Sequence, residues 1–412
     1  MAPRLIDVDE ARRAVLDCTA PLTYESERLA DALGRVLAED VRSVEPVPPF
    51  ASSAMDGFAL RFADVRDAAE GSPASLTVVG ESRAGHPAAR AVAVKEAIAI
   101  STGAVVPEGA DAVVPVEQTS LHDGQVHVLT SVAAGNDVRL AGEDIGADEL
   151  VLAAGTRLGP AHLGVLASLG RAEVRCFRRP AVSILTTGDE LVAPGRERPH
   201  GAIYNSNAYS IPALAGEAGA VIGLTTTVRD EVRATADGLT RALDTSDVVV
   251  ICGGVSVGEH DHVRPTLAQL GAVERFWGVA LKPGKPTWFG MRERTLVFGL
   301  PGNPVSAMVT FTLFVAPALR ALAGGSPDAA RTTALLVNDV EKRPGRTHAV
   351  RCRLRASERG WLAEPTGDQG SHVLTSMLDA DALAILPLES TGASAGERVA
   401  IELLPGARPG VP

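Results

Sequence analysis

Two lysines three residues apart open the chemistry of this chain, in LKPGKP at 281–286. Of its 39 lysines and arginines, only Lys95, Lys282, Lys285 and Lys342 are lysine. Where a chain so prefers arginine, a lysine pair marks a site that needs compact point charges rather than a planar fork. Pro283 and Pro286 stiffen the loop and Gly284 permits a sharp turn, so both amines can address one anion. A chance pair on a surface loop is the plain alternative. A second anion signal follows in GLPGNPVSAM, 299–308. Asn303 reads as a helix N-cap, Pro304 suits the first helical position, and Ser306 falls in the first turn. Free N–H groups at such a helix start favour an anion, although every helix start offers some.

Two acidic, glycine-bearing loops accompany these. LTTGDEL (185–191) presents Thr186, Thr187, Gly188, Asp189 and Glu190 at the end of an apolar run. Paired carboxylates after a glycine turn can hold a hard cation such as Mg²⁺, or they can be solvated acids beside a capping turn. CGGVSVGEHD (252–261) ends the most apolar run of the chain. Gly253 and Gly254 let backbone N–H groups approach a ligand. Ser256 adds a hydroxyl, and Glu259 and Asp261 add carboxylates. The spacing is neither a dinucleotide fingerprint nor a P-loop, and a tight turn between strand and helix is the alternative. His260 and His262 read as solvent-facing. Elsewhere SAMDGFAL (53–60) sets Asp56 beside Gly57, STGAVVPEGADAVV (101–114) offers Ser101 and Thr102, and GEDIGA (142–147) offers Glu143 and Asp144. Arg351 in HAVRCRL and Ser371 in QGSHVL are strand-surface residues or anion contacts. Singly, each of these reads as a turn or a surface position.

The elements that must carry these loops can be read from periodicity. Residues 7–18 have helical spacing with Asp7 as cap, and 26–38 read as a second helix capped by Ser26. VEPVPPF (44–50) breaks helical character. From about 50 to 140, short apolar runs divided by Gly, Pro and Asp predict a small all-β insertion, after which the helical period returns at 159–170. Residues 180–323 alternate apolar runs at 181–188, 220–228, 247–254 and 295–300 with helical patterns near 207–218, 231–243, 262–270 and 303–322. That order predicts a parallel sheet covered on both faces, with its site beyond the carboxyl ends of the strands, where the loops above fall. Beyond about 326 the chain is β again, as a small barrel or sandwich. The expected fold class is therefore multidomain α/β plus β. Its domains are 1–45 with 141–178 (mixed α/β), 46–140 (β-rich insertion), 179–326 (doubly wound α/β) and 327–412 (C-terminal β-barrel).

Composition narrows the function classes. At 412 residues the length suits two to four domains. Charged residues give 39 − 50 = −11, and no long basic run is present. Nucleic acid and anionic membranes are thus unexpected partners, and an anion must be bound locally. Cys18, Cys176, Cys252 and Cys352 have no metal-ligand spacing and suit a reducing, cytoplasmic compartment. The N-terminus lacks the apolar core of a signal peptide, and no uninterrupted apolar window predicts a membrane span.

In order and spacing, PPFASSAMDGFAL, STGAVVPEGADAVVPVE, GEDI, LTTGDEL, GGVSVGEHD, KPGKP and LPGNPVSA together resemble the molybdopterin molybdenumtransferase family, called MoeA in bacteria and represented in animals by the E domain of gephyrin. The resemblance covers nearly the whole chain. It departs at Phe58, where the family often has tyrosine, and at His348-Ala349, where an acidic-aromatic pair is common. It implies a homodimer whose central α/β domain also resembles molybdopterin adenylyltransferases of the MogA type, with the site in a cleft between subunits. It implies transfer of molybdate to adenylylated molybdopterin with release of AMP, aided by Mg²⁺, and transient contact with the adenylyltransferase and with apo-molybdoenzymes. Carried onto this sequence, Asp189, Glu190 and Asp261 would hold the metal. Thr102, Thr187, Gly188, Asp189, Gly253, Gly254, Ser256, Gly258, Pro301 and Asn303 would contact the adenylylated cofactor. Lys282, Lys285, Ser306, Arg351 and Ser371 would hold molybdate. Asp56, Asp144, Glu190 and Asp261 would move protons or position water. Rival readings are the adenylyltransferase one step earlier, a non-catalytic cofactor-binding scaffold, and a generic sugar- or nucleotide-phosphate enzyme.

Overall fold

The computed structural model describes residues 5–255, 261–328, 331–404 and 406. Ser256, Gly258, Glu259 and His260 therefore lie outside the described residues. The chain forms two compact units. One collects 39–154 and 160–172, the other 1–38, 155–159 and 173–412.

The smaller unit is built on a six-stranded sheet in the order Ala112–Pro115, Gly57–Leu60, Glu96–Ile100, Ala74–Ser82, Gln125–Val128, Thr119–His122. Only the Glu96–Ile100 and Ala74–Ser82 pair is parallel. Strand side chains alternate between faces, and both faces of Gly57–Leu60 are covered. Phe58 and Leu60 join Leu76, Val114 and Val126 on one side, while Ala59 joins Ile100 and Val113 on the other. A Cβ at Gly57 would come within 2.0 Å of the Val114 carbonyl, so the glycine of SAMDG is fixed by backbone contact. The helix expected at 159–170 is Pro160–Ser168.

In the larger unit a six-stranded sheet runs Val221–Val228, Ala181–Thr187, Val248–Cys252, Thr295–Leu300, Trp288–Arg292, Val273–Trp277. The first four strands are parallel, as the alternation of apolar and helical segments requires. Val248, Val250 and Cys252 pack with Ile211, Ala215 and Val305, and Val249 and Ile251 pack with Leu239, Leu243 and Leu267. The central strand is thus apolar on both faces because helices cover both. The last two strands were not expected. Trp288–Arg292 turns back onto Thr295–Leu300 through Glu293 and Arg294, with Glu293 at φ 54°. A Glu-Arg turn lacks the Asn-Gly signature that marks such hairpins.

The expected helix at 26–38 is replaced by a strand, Tyr24–Arg28, paired antiparallel with Glu173–Phe177, and a single 3-10 turn, Leu29–Asp31. Ser26 does not cap; its hydroxyl donates to Glu173 at 2.7 Å. Gly34 at φ 76° ends any helical path, and Arg35 turns back to pair with Glu25 and Glu27. These cross-chain pairings outweigh a weak helical propensity.

The long apolar segment forms one continuous helix from Pro304 to Leu322, whose turn at Phe311–Val315 is widened to π-helical geometry. That turn lies just ahead of Pro317, which has no N–H to give and would press on the carbonyl four residues back. The helix is long and apolar enough to cross a bilayer, yet it is 83% buried, packed among Val8, Ala11 and Val15 and the inner face of the sheet.

The C-terminal segment closes into a five-stranded barrel. Thr347–Ser357 pairs with Gly360–Pro365 on one side and Ala382–Leu386 on the other, and Arg331–Leu336 and Arg398–Leu403 complete the ring. The short strand Leu281–Lys282 adds parallel to the start of Thr347–Ser357, matching Lys282 with His348. The barrel is also tied to the N-terminal helix. Arg12 gives a bidentate pair to Glu402, at 2.7 and 3.2 Å, with both side chains under a tenth exposed. Arg331 also reaches Glu402, at 3.4 Å, so Arg12→Met would leave the buried carboxylate with one half-exposed partner, and thermal and urea unfolding should show a loss of about 1–3 kcal/mol. Arg12→Met with Glu402→Leu should recover most of it. Equal losses in the single and double variants would refute this assignment.

Candidate functional site

The strand Ala181–Thr187 delivers Thr187 beneath the turn that follows Val248–Cys252. Gly253 (φ 96°) and Gly254 (φ 63°) sit so close that a Cβ on either would come within 2.9 Å of Thr187 Oγ1. Only glycine combines that backbone with that approach. Thr187 Oγ1 is itself buried without a hydrogen-bond partner. On the far side, Gly253 N donates to Leu300 O at 3.0 Å, and Gly302 lies against Gly253. The Thr187-Gly188, Gly253-Gly254 and Leu300–Asn303 loops thus form one continuous surface at the carboxyl ends of three parallel strands, where such sheets bind ligands. Pro301 is buried within it. Beyond Gly254, the Trp277 indole donates to Val255 O at 2.8 Å and fixes the exit of the turn.

Asn303 occupies the N-cap position of the helix starting at Pro304, but its side chain makes no capping bond. It donates instead to Ser371 Oγ at 3.0 Å, in the loop between barrel strands. The residue expected to cap is turned away, which leaves the first helical N–H groups without their usual acceptor. Ser306, in that first turn, is 4% exposed.

Arg351 corrects one expectation. It is fully buried, and its guanidinium donates to Ser376 Oγ and to the carbonyls of Asp368 and Gly370. It holds the loop that presents Ser371 from inside the barrel, while its Nη1 is buried with no partner among the described residues.

Lys282 and Lys285 are exposed. Their loop is seated on the same helix, since a Cβ at Gly284 (φ 121°) would come within 2.5 Å of Thr310 Cγ2. Thr287 Oγ1 closes the loop by donating to Gly284 O at 2.7 Å. The barrel edge beside Lys282 is strongly cationic. His348 is 2% exposed and neither ring nitrogen has a hydrogen-bond partner among the described residues. Burial first, then Lys282, Arg351, Lys342 and Arg346, pull its pKa down to about 4. A folded pKa below the unfolded value means that the unfolded chain binds more protons between about pH 6.5 and 4. Stability is therefore lost as pH falls through that window, by up to about 3 kcal/mol from this residue. His348→Met should flatten that part of a stability-against-pH curve. An unchanged slope would show that His348 does not titrate there.

The acids are arranged differently from expectation. Asp189 Oδ1 accepts from Asp230 N at 3.4 Å, and Glu190 turns its carboxylate back onto Gly188, where a Cβ would meet it at 2.5 Å. Asp230, unnoticed in the sequence, has its pKa raised by burial and then by repulsion from Asp189 and Glu190, against a backbone hydrogen bond from Asp189 and the pull of His262. Asp261 is half-buried just before the helix Val263–Gln269. Among the described residues no three His, Cys, Asp or Glu side chains are grouped to hold a metal. Asp189, Glu190 and Asp261 are therefore not a preformed three-ligand cage among the described residues.

Two asparagines were also missed. Asn205 donates to Thr186 and Thr227 and accepts from Ala208 N. Asn207 donates to Gly302 O at 2.7 Å and so fastens the Leu300–Asn303 loop. Their only signal was YNSN, a polar cluster just ahead of a helix.

In the smaller unit, SAMDG and STGA meet. Asp56 Oδ1 accepts from Thr102 N at 2.7 Å and Thr102 Oγ1 at 3.0 Å. The backbone bond, then the hydroxyl bond, hold its carboxyl below the usual range. Asp56 is thus tied to Thr102 in its ionised form. Asp144 is exposed, with its N–H fixed to Val47 O at 3.0 Å.

Residues 6–170 match the family described as MoeA N-terminal region (domain I and II), 183–321 a probable molybdopterin binding domain, and 333–404 the MoeA C-terminal region (domain IV). The chain is 36% identical over 403 residues to a molybdopterin molybdenumtransferase of Haemophilus influenzae, covering 97% of this chain and 98% of that protein. The chain belongs to the molybdopterin molybdenumtransferase family. A Bacillus subtilis member is 35% identical over 404 residues, covering 97% of this chain and 94% of that one. A solved molybdopterin biosynthesis MoeA protein from Pyrococcus horikoshii superposes with a TM-score of 0.83 at 32% identity, over 97% of this chain and 100% of that one.

Proposed function

We propose that this family member is the transferase that moves molybdenum from molybdate onto adenylylated molybdopterin, releasing AMP and completing the molybdenum cofactor. The helix start at Pro304 carries the reading. Its own cap is diverted to Ser371, it adjoins the glycine turn through Gly302, and the loop of Lys282 and Lys285 packs on the same helix further along, at Thr310. A tetrahedral dianion suits free N–H groups, the Ser306 hydroxyl and two ammonium groups. The Gly253-Gly254 turn, with Thr187 beneath it, offers backbone donors and a hydroxyl to the phosphates. Asp189 and Asp261 supply hard oxygen donors. Mg²⁺ keeps much of its water and takes phosphate oxygens, so one or two carboxylates suffice to hold it and to draw charge from the pyrophosphate. Asp56, held ionised by Thr102, is the candidate proton acceptor. We further propose a homodimer in which the Asp56 and Thr102 loops complete the partner's site, working in the cytoplasm, where four unpaired cysteines stay reduced. The adenylyltransferase and apo-molybdoenzymes would be its transient partners.

The test mixes purified protein with adenylylated molybdopterin, Mg²⁺ and molybdate. It follows AMP and the activation of a cofactor-free molybdoenzyme. Both should depend on molybdate. Binding of the adenylylated cofactor without any molybdate-dependent product would favour a non-catalytic scaffold.

A further inference from the structure

The barrel strand beside the lysine loop holds a group that no step above uses. His348 lies opposite Lys282 in the parallel register of Leu281–Lys282 with Thr347–Ser357, and opposite the apolar Leu386 on its other side. It is 2% exposed, and both ring nitrogens are buried without hydrogen-bond partners among the described residues. Native interiors rarely leave a polar ring wholly unsatisfied. The charges acting on it come from Lys282 on the short strand, Arg351 on its own strand, Arg346 just before that strand, and Lys342 after the short strand Val340–Glu341; among the described residues no carboxylate is one of them. Lys342 is held in place by the carbonyls of Leu388 and Ser390, at 3.2 and 2.6 Å. Burial first, and then these cations, keep the ring neutral; of the cations, Lys342 has Glu389 and Arg351 has Asp368 as a counter-charge.

We propose that His348 takes up a proton from solvent when an oxyanion binds at the Lys282–Lys285 loop, so that molybdate is captured together with a proton. This rests on the assignment of molybdate to that loop. A dianion offsets the field of Lys282, the neighbour that acts most strongly on the ring after burial. Once that field is cancelled, the buried imidazole charges more readily. His348 acts through Lys282 as a positioning residue: its charge state sets the field in which the oxyanion sits. Linkage fixes the sign. If the bound state holds more protons, affinity weakens as pH rises, by up to about tenfold per pH unit.

The test is calorimetric titration of molybdate into the full-length protein near pH 5, in two buffers of different ionisation heat. The wild type should take up a measurable fraction of a proton per oxyanion, and its Kd should rise as pH climbs from about 4 towards 6 and level off beyond. His348→Met and His348→Gln should bind with no uptake and a flat pH profile. Should both variants misfold, NMR of the wild type with labelled histidine serves instead: the His348 ring should shift to the protonated form on adding molybdate. Binding without uptake, uptake unchanged in the variants, or an unshifted ring would overturn this proposal and leave the lysine site standing. Failure of the wild type to bind molybdate would overturn both.

Discussion

Replacing Lys282 and Lys285 together with methionine should reduce molybdate-dependent kcat/KM by about 10²–10⁴-fold while leaving the fold intact. Each ammonium would lose one charge-assisted bond to the oxyanion, worth about 1.5–3 kcal/mol. Both lysines are exposed, so stability should change by less than about 0.5 kcal/mol for each. The loop itself should persist, because Gly284 on Thr310 and the Thr287 hydroxyl shape it. Affinity for the adenylylated cofactor should change much less than affinity for molybdate. Arginine at both positions should rescue poorly, since a planar fork on a longer stem does not reproduce two point charges. Steady-state kinetics against molybdate concentration, with thermal unfolding alongside, decide the matter. A double variant with wild-type kinetics would remove the lysines from the site.

Gly253→Ala should be nearly as damaging, by a different route. At φ 96° any side chain is strained, and the new Cβ would lie 2.8 Å from Thr187 Oγ1 and 2.9 Å from Thr187 O. The strain is about 1–3 kcal/mol. The turn can relieve the clash only by moving off Thr187 and away from Leu300 and Gly302. Binding of the adenylylated cofactor should weaken by about 10²-fold, roughly two lost hydrogen bonds to phosphate. Gly219→Ala is the control. It has a similar φ, 91°, with nothing within 4 Å of its Cβ, so it should carry the strain without the loss of binding. Equal binding in the two variants would show that the Gly253 turn does not touch the ligand.

Much of this architecture was legible in the residues. The runs at 181–188, 247–254 and 295–300 are largely apolar because helices cover both faces, and that composition survives in one dimension. The hairpin of Trp288–Arg292 and Thr295–Leu300 was not legible, because Glu293 adopts a left-handed turn with no glycine or asparagine to signal it. Residues 26–38 misled because helical spacing there is outweighed by a strand partner nearly 150 residues away, Glu173–Phe177. The site loops were found from their glycines, whose positive φ is a local demand. Side-chain direction was not recoverable. Asn303 has the composition of a cap and the geometry of a bridge to Ser371. Arg351 has the charge of an anion contact and the burial of a strut. Asn207, Asp230 and His348 are ordinary residues until folding sets a carbonyl, two carboxylates or a lysine beside them.

The central claim is that a tetrahedral oxyanion rests on the uncapped helix start at Asn303–Ser306, within reach of the Lys282–Lys285 loop. Crystals soaked in tungstate, a heavy analogue of molybdate, test it most directly. The anomalous map should show one strong peak about 3 Å from the first helical N–H groups, with at least one of the two lysine amines on it. A tungstate bound elsewhere, with that helix start empty and both amines directed into solvent, would contradict the account.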